Sequence, residues 1–301
     1  MARTDIAAPE RELTIAARSQ WSAVGRRFVR HRLAIGSLVV LAVIAVAAFA
    51  GPRVWHFGFA EPSNDLSQAP SWKHPFGTDE KGIDFLAQVL RGAQKSMQIT
   101  LLVALFATMI GVVVGATAGY FRGRLDAVLM RAADLVLMVP LLAIAAVMAY
   151  RFSRSLGGWF GVVLALALFT WPGTARIVRA EFLSLREKEF VEAAQASGAG
   201  PLRIIVVHLL PNVVGSLVVA ATLTMAASVL AETSLSFLGL GVRFPDTSLG
   251  LIISNGEQAA QTRPWLFYLP GLVILVIVLC INFVGDGLRD AFDPKQQRVR
   301  A

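Results

Sequence analysis

The residues that could carry out chemistry are few and widely spaced in this chain. None of the five lysines follows a glycine, so the sequence contains no phosphate-binding P-loop. The four histidines form no His-Glu-x-x-His pair, and no Gly-x-Ser-x-Gly nucleophile elbow occurs. The single cysteine, Cys280, permits neither an intrachain disulfide nor a cysteine metal cluster. We predict no catalytic residue, no metal site and no cofactor in this chain. If the chain moves a solute against a gradient, the energy must therefore come from an ion gradient or from a partner.

Two acidic residues adjoin apolar segments and are the candidates for an ion-coupled site. Asp134 is predicted in the first turn of one apolar helix, and Glu232 just past the end of another. We interpret both as charges at helix ends or at the membrane interface. Ion-coupled carriers usually bury several ionisable groups in the membrane. Two such residues at opposite faces weaken the hypothesis of a secondary carrier and favour a path that is powered from outside the chain.

The composition of the chain is strongly apolar and indicates the kind of fold in which these residues lie. Hydrophobic residues make up 55% of the chain, charged residues only 16%, and the mean hydropathy is +0.62. A soluble domain has about 25% charged residues. The net charge of +8 comes from Lys and Arg that lie between apolar runs rather than on one face, so we predict no nucleic acid partner. The composition indicates an integral membrane protein surrounded by lipid and excludes a cytosolic enzyme or a disordered regulator.

The apolar runs predict an all-α integral membrane protein with six transmembrane helices. These predicted spans are 33–50, 97–120, 132–150, 159–178, 204–230 and 266–284. With the N-terminus inside, 19 of the 28 Lys and Arg residues fall on the cytoplasmic side, so both termini are predicted to be cytoplasmic. Pro140, Pro172 and Pro211 are candidate kink points within these spans.

This topology divides the chain into consecutive regions without a separate soluble domain. They are a cytoplasmic N-terminal arm over 1–32, the first transmembrane helix over 33–50, an external loop over 51–96, a transmembrane core over 97–284 with a short cytoplasmic helix near 187–198, and a cytoplasmic tail over 285–301.

Three glycines in the second predicted span are spaced four residues apart. Gly111, Gly115 and Gly119 therefore lie on one helix face, where a second helix can approach backbone to backbone. We predict helix packing along this face, with a partner helix from this chain or from another.

A polar segment between the fourth and fifth spans is the most informative part of the sequence. Residues 187–197 are good helix formers, Gly198 occupies a position that favours a left-handed C-terminal cap, and Pro201 ends any continuation. Ala193 and Ala194 give this helix a slim ridge that could enter a protein cleft. The alternative is an amphipathic helix that rests on the lipid surface.

The same segment resembles the EAA motif of ABC importer permeases, the membrane subunits of binding-protein-dependent transporters. The matching residues are Glu192, Ala193, Ala194, Gly198, Leu210 and Pro211. Stretches similar to the dipeptide, oligopeptide and nickel branch of that family are His74–Asp79 with Gly82 and Asp84, Gly92–Ala93 with Ser96, Glu232–Gly241, and Gly285–Asp290 with Asp293–Pro294. The order of these stretches resembles that of the C-type permease subunit. Ile83 and Leu249 depart from the branch pattern, and both lie in predicted external segments.

The resemblance implies a type I ABC importer permease fold in a bacterial cell membrane. It also implies a homologous second permease, two ABC ATPase subunits or one fused ATPase, and an external substrate-binding protein. ATP and Mg would be bound by the ATPase partners, and the helix near Glu192–Gly198 would be the coupling helix seated in an ATPase cleft. ATP binding would then move this helix and rock spans three to five between inward-open and outward-open states.

Three functions remain open from the sequence. The first is a permease subunit for oligopeptides or dipeptides, and the second is the same permease type for nickel or another small solute. The third is a stand-alone secondary carrier or channel, which would depend on neither ATP nor partner subunits. An integral membrane enzyme is disfavoured because no nucleophile, base or metal constellation occurs in the sequence.

Overall fold

The computed structural model describes residues 20–156, 158–244 and 246–292. These residues are nearly all helical and form no β-strand; a single isolated bridge pairs Thr78 with Asp84. The α-helices are α1 Gln20–Arg30, α2 Arg32–Val54, α3 Phe85–Phe121, α4 Gly123–Met138, α5 Leu141–Leu156, α6 Gly158–Leu185, α7 Glu189–Ala196, α8 Pro201–Arg203, α9 Leu210–Phe237, α10 Leu249–Gly256 and α11 Trp265–Phe292. A π-helical turn, Ile204–Leu209, joins α8 to α9, and a 3₁₀ turn, Glu257–Ala259, follows α10. Residues 1–19 of the predicted arm and residues 293–301 of the predicted tail lie outside the described residues.

The predicted all-α membrane fold is confirmed by the number of long apolar helices. In the part of the chain that the structure describes, five helices are long and apolar enough to cross a membrane, namely α2, α3, α6, the continuous stretch Pro201–Phe237, and α11. The predicted count of six is reached if Gly123–Met138 and Leu141–Arg151 together form one span, although these two helices are bent by 91°.

The third predicted span, 132–150, is broken between α4 and α5 at Pro140, one of the predicted kink points. Val139 has an extended backbone (φ −80°, ψ 132°), as expected for a residue before proline, and Pro140 cannot donate a backbone hydrogen bond. Asp134 does not interrupt the helix but lies within α4. Pro140 therefore redirects the chain, whereas the acidic residue does not.

The long helices run up and down, so that two ends of the bundle can be distinguished. Near the start of α3, a Cβ on Gly92 would lie 2.7 Å from Ile252 of α10. Near the opposite end of α3, a Cβ on Gly119 would lie 2.6 Å from Phe182, close to α7 in the chain. We call these the α10 end and the α7 end. The first contains α10 and the segment 55–84, and the second contains α7 and the start of α9.

The predicted external loop over 51–96 is shorter and more ordered than its polar composition suggests. Helix α3 begins at Phe85, where the Asp84 Oδ1 atom accepts a hydrogen bond from the Ala87 backbone N–H at 2.8 Å. The buried His74 ring lies between two carboxylates, with Nδ1 2.7 Å from Asp84 Oδ2 and Nε2 3.2 Å from Asp65 Oδ2. Side-chain hydrogen bonds therefore hold residues 55–84 against the start of α3.

Candidate functional site

Helix α7 is anchored by one face and exposed on the other. Val191 is fully buried and packs in a cluster with Phe182 of α6 and with Ile204 and Leu209 of the π-helical turn. Glu192 and Ala193 are exposed and Ala194 is half-buried. The short helix is therefore fixed to the bundle through its apolar side. The ridge of Ala193 and Ala194 lies on the opposite side, away from the bundle.

The C-terminus of α7 is closed by a Schellman motif. The Gly198 N–H donates to the Gln195 carbonyl at 2.9 Å, and the Ala199 N–H donates to the Ala194 carbonyl at 3.0 Å. This pattern requires a left-handed residue after the cap, and Gly198 has φ +81°. Since a Cβ on Gly198 would have nothing within 4 Å, backbone conformation and not crowding selects glycine here.

An open groove of about 620 Å³ runs along the exposed side of α7. It is lined by Phe190, Ala193, Ala194, Ser197, Gly198, Ala199, Gly200, Arg203 and His208. Most of these side chains are small, and the two basic residues lie on the α8 side of the groove. Such a surface can accept apolar and acidic groups of another protein closely.

Helix α9 is preceded by the π-helical turn Ile204–Leu209, and Pro211 explains why this turn is not α-helical. Leu210 donates its N–H to the Ile205 carbonyl, which is the i→i+5 bond of a π-helix. Pro211 lies in the first turn of α9 and has no N–H, so it cannot donate the α-helical hydrogen bond to the carbonyl four residues earlier. Leu210 and Pro211 thus mark the joint where the groove at α7 passes into the long helix α9.

The end of α6 is fastened to the corner between α3 and α4. Arg186 donates to the Tyr120 carbonyl, and Arg122 forms an ion pair with Glu187 at 2.5 Å. Arg122 has φ +56°, a conformation that is uncommon for a residue with a Cβ. Arg186 and Glu187 immediately precede α7, so the α3–α4 corner is linked directly to the segment that carries the helix.

Two further ion pairs connect α4 with α6. Arg179 forms a two-pronged pair with Asp126 at 2.5 and 2.7 Å. Asp134, which the sequence placed at a helix end, pairs with Arg176 at 2.5 Å and both side chains are about half exposed. Helices α4 and α6 are therefore bound to each other by charge as well as by packing.

The three glycines of α3 face α6 of the same chain. A Cβ on Gly111 would lie 2.7 Å from the Thr174 Cβ, and one on Gly115 only 2.4 Å from the Ala175 carbonyl oxygen. With Gly119, which faces Phe182, they form a continuous seam along which two backbones approach each other. The sequence left open which helix would be the partner.

Glu232 is the residue that reasoning from the sequence misplaced. Instead of a charge beyond the end of a helix, it lies inside α9 and is fully buried. Its carboxyl oxygens accept hydrogen bonds from Ser96 of α3 at 3.0 Å and Ser236 at 2.7 Å. Ser96 and Glu232 are 136 residues apart, so no local pattern connects them. The only available signal was that both lie in stretches with family resemblance.

Within the described residues, no group of three or more His, Cys, Asp or Glu side chains could hold a metal ion. Asp84, Asp126, Asp134 and Glu232 are instead paired with a histidine, arginines or a hydroxyl.

Two family models match the chain. Residues 111–298 match the binding-protein-dependent transport system inner membrane component, and residues 19–70 match the N-terminal TM domain of oligopeptide transport permease C. The first match contains α7, the π-helical turn and Glu232.

Similar proteins cover almost the whole chain. The oligopeptide transport system permease protein OppC of Mycobacterium tuberculosis H37Rv is 44% identical over 283 residues, which cover 94% of this chain and 97% of the relative. The protein of the same name from Escherichia coli K12 is 36% identical and covers 95% of each chain.

A solved structure shares the fold. A chain of the inward-facing MetNI methionine ABC transporter aligns with a TM-score of 0.58 at 22% identity, covering 69% of this chain and 98% of the other. At that identity the likeness concerns the helix arrangement alone.

Proposed function

The chain belongs to the family of binding-protein-dependent transport system inner membrane components, and from this we propose that it forms half of an oligopeptide translocation path. The observation that supports the peptide class is the 44% identity, over nearly the whole chain, with a permease named for oligopeptide transport. Membership of this family makes the chain a non-catalytic membrane subunit of an ABC importer, and ATP hydrolysis belongs to partner subunits.

The two ends of the bundle take different partners in this proposal. The α7 end faces the cytoplasm, where the groove along Ala193, Ala194 and Gly198 receives an ATPase subunit that binds ATP and Mg. The α10 end faces outward, where a substrate-binding protein docks. A homologous second permease completes the path, with two ATPase subunits or one fused ATPase below.

Movement of α7 would reach the membrane helices by two routes. One is the covalent joint through the π-helical turn to Leu210 and Pro211, and the other is the pair between Arg122 and Glu187 at the α3–α4 corner. The buried Val191 makes α7 move with this corner rather than slide over it. A push on the groove would thereby change the angle of α4, α6 and α9 together, as in a rigid-body transition.

Replacing Gly198 by valine tests the coupling role. A β-branched residue at φ +81° costs on the order of 1–2 kcal/mol, so the cap should open and the groove should lose its shape. We expect Gly198→Val to insert and assemble its transmembrane helices normally but to lose peptide-stimulated ATP hydrolysis and uptake in reconstituted vesicles.

Gly173→Val is the control. Gly173 lies within α6 and does not line the groove. A Cβ on Gly173 would have nothing within 4 Å, so valine should fit there and leave coupling unchanged. Full transport by the Gly198 variant would contradict a role of this cap in coupling.

The substrate class is tested with the wild-type complex. The permease pair, ATPases and binding protein are purified together, and uptake of a labelled tripeptide is compared with uptake of nickel ions. Peptide uptake that depends on ATP supports the proposal. Uptake of nickel alone would instead support the second function, and uptake by the isolated chain without ATP would support a carrier or channel.

A further inference from the structure

A polar network at the α10 end is centred on Glu232. Ser236 donates to one carboxyl oxygen of Glu232 and accepts hydrogen bonds from the Ser248 hydroxyl at 3.1 Å and the Val242 N–H at 3.3 Å. Ser96 donates to the other oxygen and accepts from the Leu249 N–H at 3.3 Å. One carboxyl group therefore connects α3, α9, the loop that follows α9 and the first residue of α10.

Glycines around this network allow the neighbouring backbone segments to pack closely against one another. A Cβ on Gly241 would lie 2.0 Å from the Ser236 Oγ atom, and one on Gly250 would lie 2.7 Å from the Thr233 Cα atom. On the α3 side, a Cβ on Gly92 would lie 3.1 Å from the Leu249 nitrogen. Glycines on three segments thus let the loop and α10 come within hydrogen-bonding distance of the buried hydroxyls.

A second attachment fixes the same loop from its exposed side. Asp246 forms ion pairs with Arg91 at 2.6 Å and Lys95 at 2.9 Å, both on α3. The Lys95 ammonium lies 4.5 Å from the Trp159 ring centroid at the start of α6. The loop is therefore held to α3 both by the ion pairs of Asp246 and by the buried hydrogen bonds around Glu232.

The fastened loop forms one wall of a cavity of about 520 Å³. Arg243, Phe244 and Thr247 line it from the loop, and Asn255 lines it from α10. Phe59 and Lys81 of the segment 55–84 line the opposite side. The shape of this cavity therefore depends on where Glu232 holds the loop and α10.

A carboxyl group is an unusual side chain for a fully buried position if that position requires only packing. Its described hydrogen-bonding partners are hydroxyls and it has no ion pair among the described residues, although burying a carboxyl group is costly unless its oxygens are satisfied. A leucine would pack at lower cost but would accept no hydrogen bond. What the carboxyl adds is two acceptors that face two different helices.

We propose that Glu232 is a positioning residue, which fixes α10 and the loop residues 239–244 and 246–248 so that the cavity of about 520 Å³ is shaped to engage the peptide-loaded binding protein. This proposal rests on the proposed function, because it requires the α10 end to be external and a binding protein to dock there. It assigns a role in transport to a buried residue that contacts neither substrate nor ATPase.

The test uses the complete complex, reconstituted in vesicles with the ATPases and the binding protein. ATP hydrolysis is measured without binding protein and then against increasing concentrations of the peptide-loaded binding protein. For Glu232→Leu we expect unchanged basal hydrolysis and a half-stimulating concentration raised about tenfold or more, since hydrogen bonds worth roughly a factor of ten each are lost. Glu232→Gln keeps the size of the side chain and one of the two acceptor oxygens, so its half-stimulating concentration should lie closer to that of the wild type than that of Glu232→Leu does.

Ser228→Ala is the matched control. Ser228 is buried on the same helix, but its hydroxyl donates only to the Thr224 carbonyl of α9, so its loss should leave stimulation unchanged. If Glu232→Leu does not assemble, Ser96→Ala decides, because it removes one hydrogen bond and leaves the carboxyl in place. A raised half-stimulating concentration for Ser96→Ala then supports the proposal.

Three results would overturn the proposal. The first is a normal half-stimulating concentration in Glu232→Leu or, if that variant does not assemble, in Ser96→Ala. The second is an equal loss of basal and stimulated hydrolysis in the variant tested. The third is a Glu232→Gln variant that is as defective as Glu232→Leu. Failure of the proposed function looks different, since the wild-type complex itself would then show no stimulation by peptide-loaded binding protein.

Discussion

Asp65 shows how a single residue can make part of the fold sensitive to pH. Its carboxylate lies 2.5 Å from the Lys73 ammonium and 3.2 Å from the His74 ring, and these two hydrogen bonds, that of Lys73 first, hold the pKa of Asp65 below its ordinary value of 3.8. Because the folded pKa is lowered, the contribution of Asp65 to stability is present above pH 3.8. It is lost as the pH falls through the lowered pKa.

We expect the segment 55–84 to become sensitive to pepsin as the pH falls below 3.8 and through the lowered pKa of Asp65. Lys73→Met removes the main cause of the lowered pKa, so cleavage should begin at a higher pH than in the wild type. Lys81→Met, an exposed lysine of the same segment, is the control and should leave the profile unchanged. Identical cleavage profiles for Lys73→Met and the wild type would rule out this contribution.

At the scale of helices, the contact between α3 and α6 depends on the absence of side chains at three positions. Gly115→Ala would place a Cβ 2.4 Å from a backbone oxygen of α6, which cannot move away as a flexible side chain could. Overpacking of this kind costs about 1–3 kcal/mol, so we expect a lower thermal unfolding temperature in detergent. Gly173→Ala adds the same methyl group to α6 at a position with nothing within 4 Å.

The Gly173 variant should unfold at or slightly above the wild-type temperature, because alanine favours a helix by about 1 kcal/mol over glycine. Equal unfolding temperatures for the two variants would mean that the seam can separate without cost. Transport should fall only in the Gly115 variant if α3 and α6 move as one unit.

Elements were predictable wherever the signal was local in sequence. The end of α7 follows from Gly198 and Pro201, and the spacing of the glycines on α3 identifies a packing face. The 91° bend at Pro140 was not predictable in magnitude, since a proline ends or bends a helix without fixing the direction of the next one. Glu232 was misplaced because its partner Ser96 comes from a distant helix, and only the packed structure shows that both are buried.

For the whole molecule, the central prediction is which end of the bundle faces the cytoplasm. The excess of Lys and Arg assigns the α7 end to the inside. Trp72 is fully exposed at the α10 end, whereas Arg124 and Ser197 are exposed at the α7 end. In a Cys280→Ala background, a membrane-impermeant maleimide should label Trp72→Cys in intact cells and Arg124→Cys only in inside-out vesicles. The reverse labelling would invert the topology and with it the assignment of both docking surfaces.

The same reagent can test the α7 groove in the assembled transporter. Ser197 lines the groove and Arg124 does not, although both lie at the same end of the bundle. With ATPase subunits bound, Ser197→Cys in inside-out vesicles should be protected from labelling, and Arg124→Cys should react as before. Stripping the ATPases should restore labelling of Ser197→Cys. Protection that persists after stripping would indicate that lipid covers α7, which is the alternative of an interfacial helix, and the route of force from ATPase to α9 would then have to begin elsewhere.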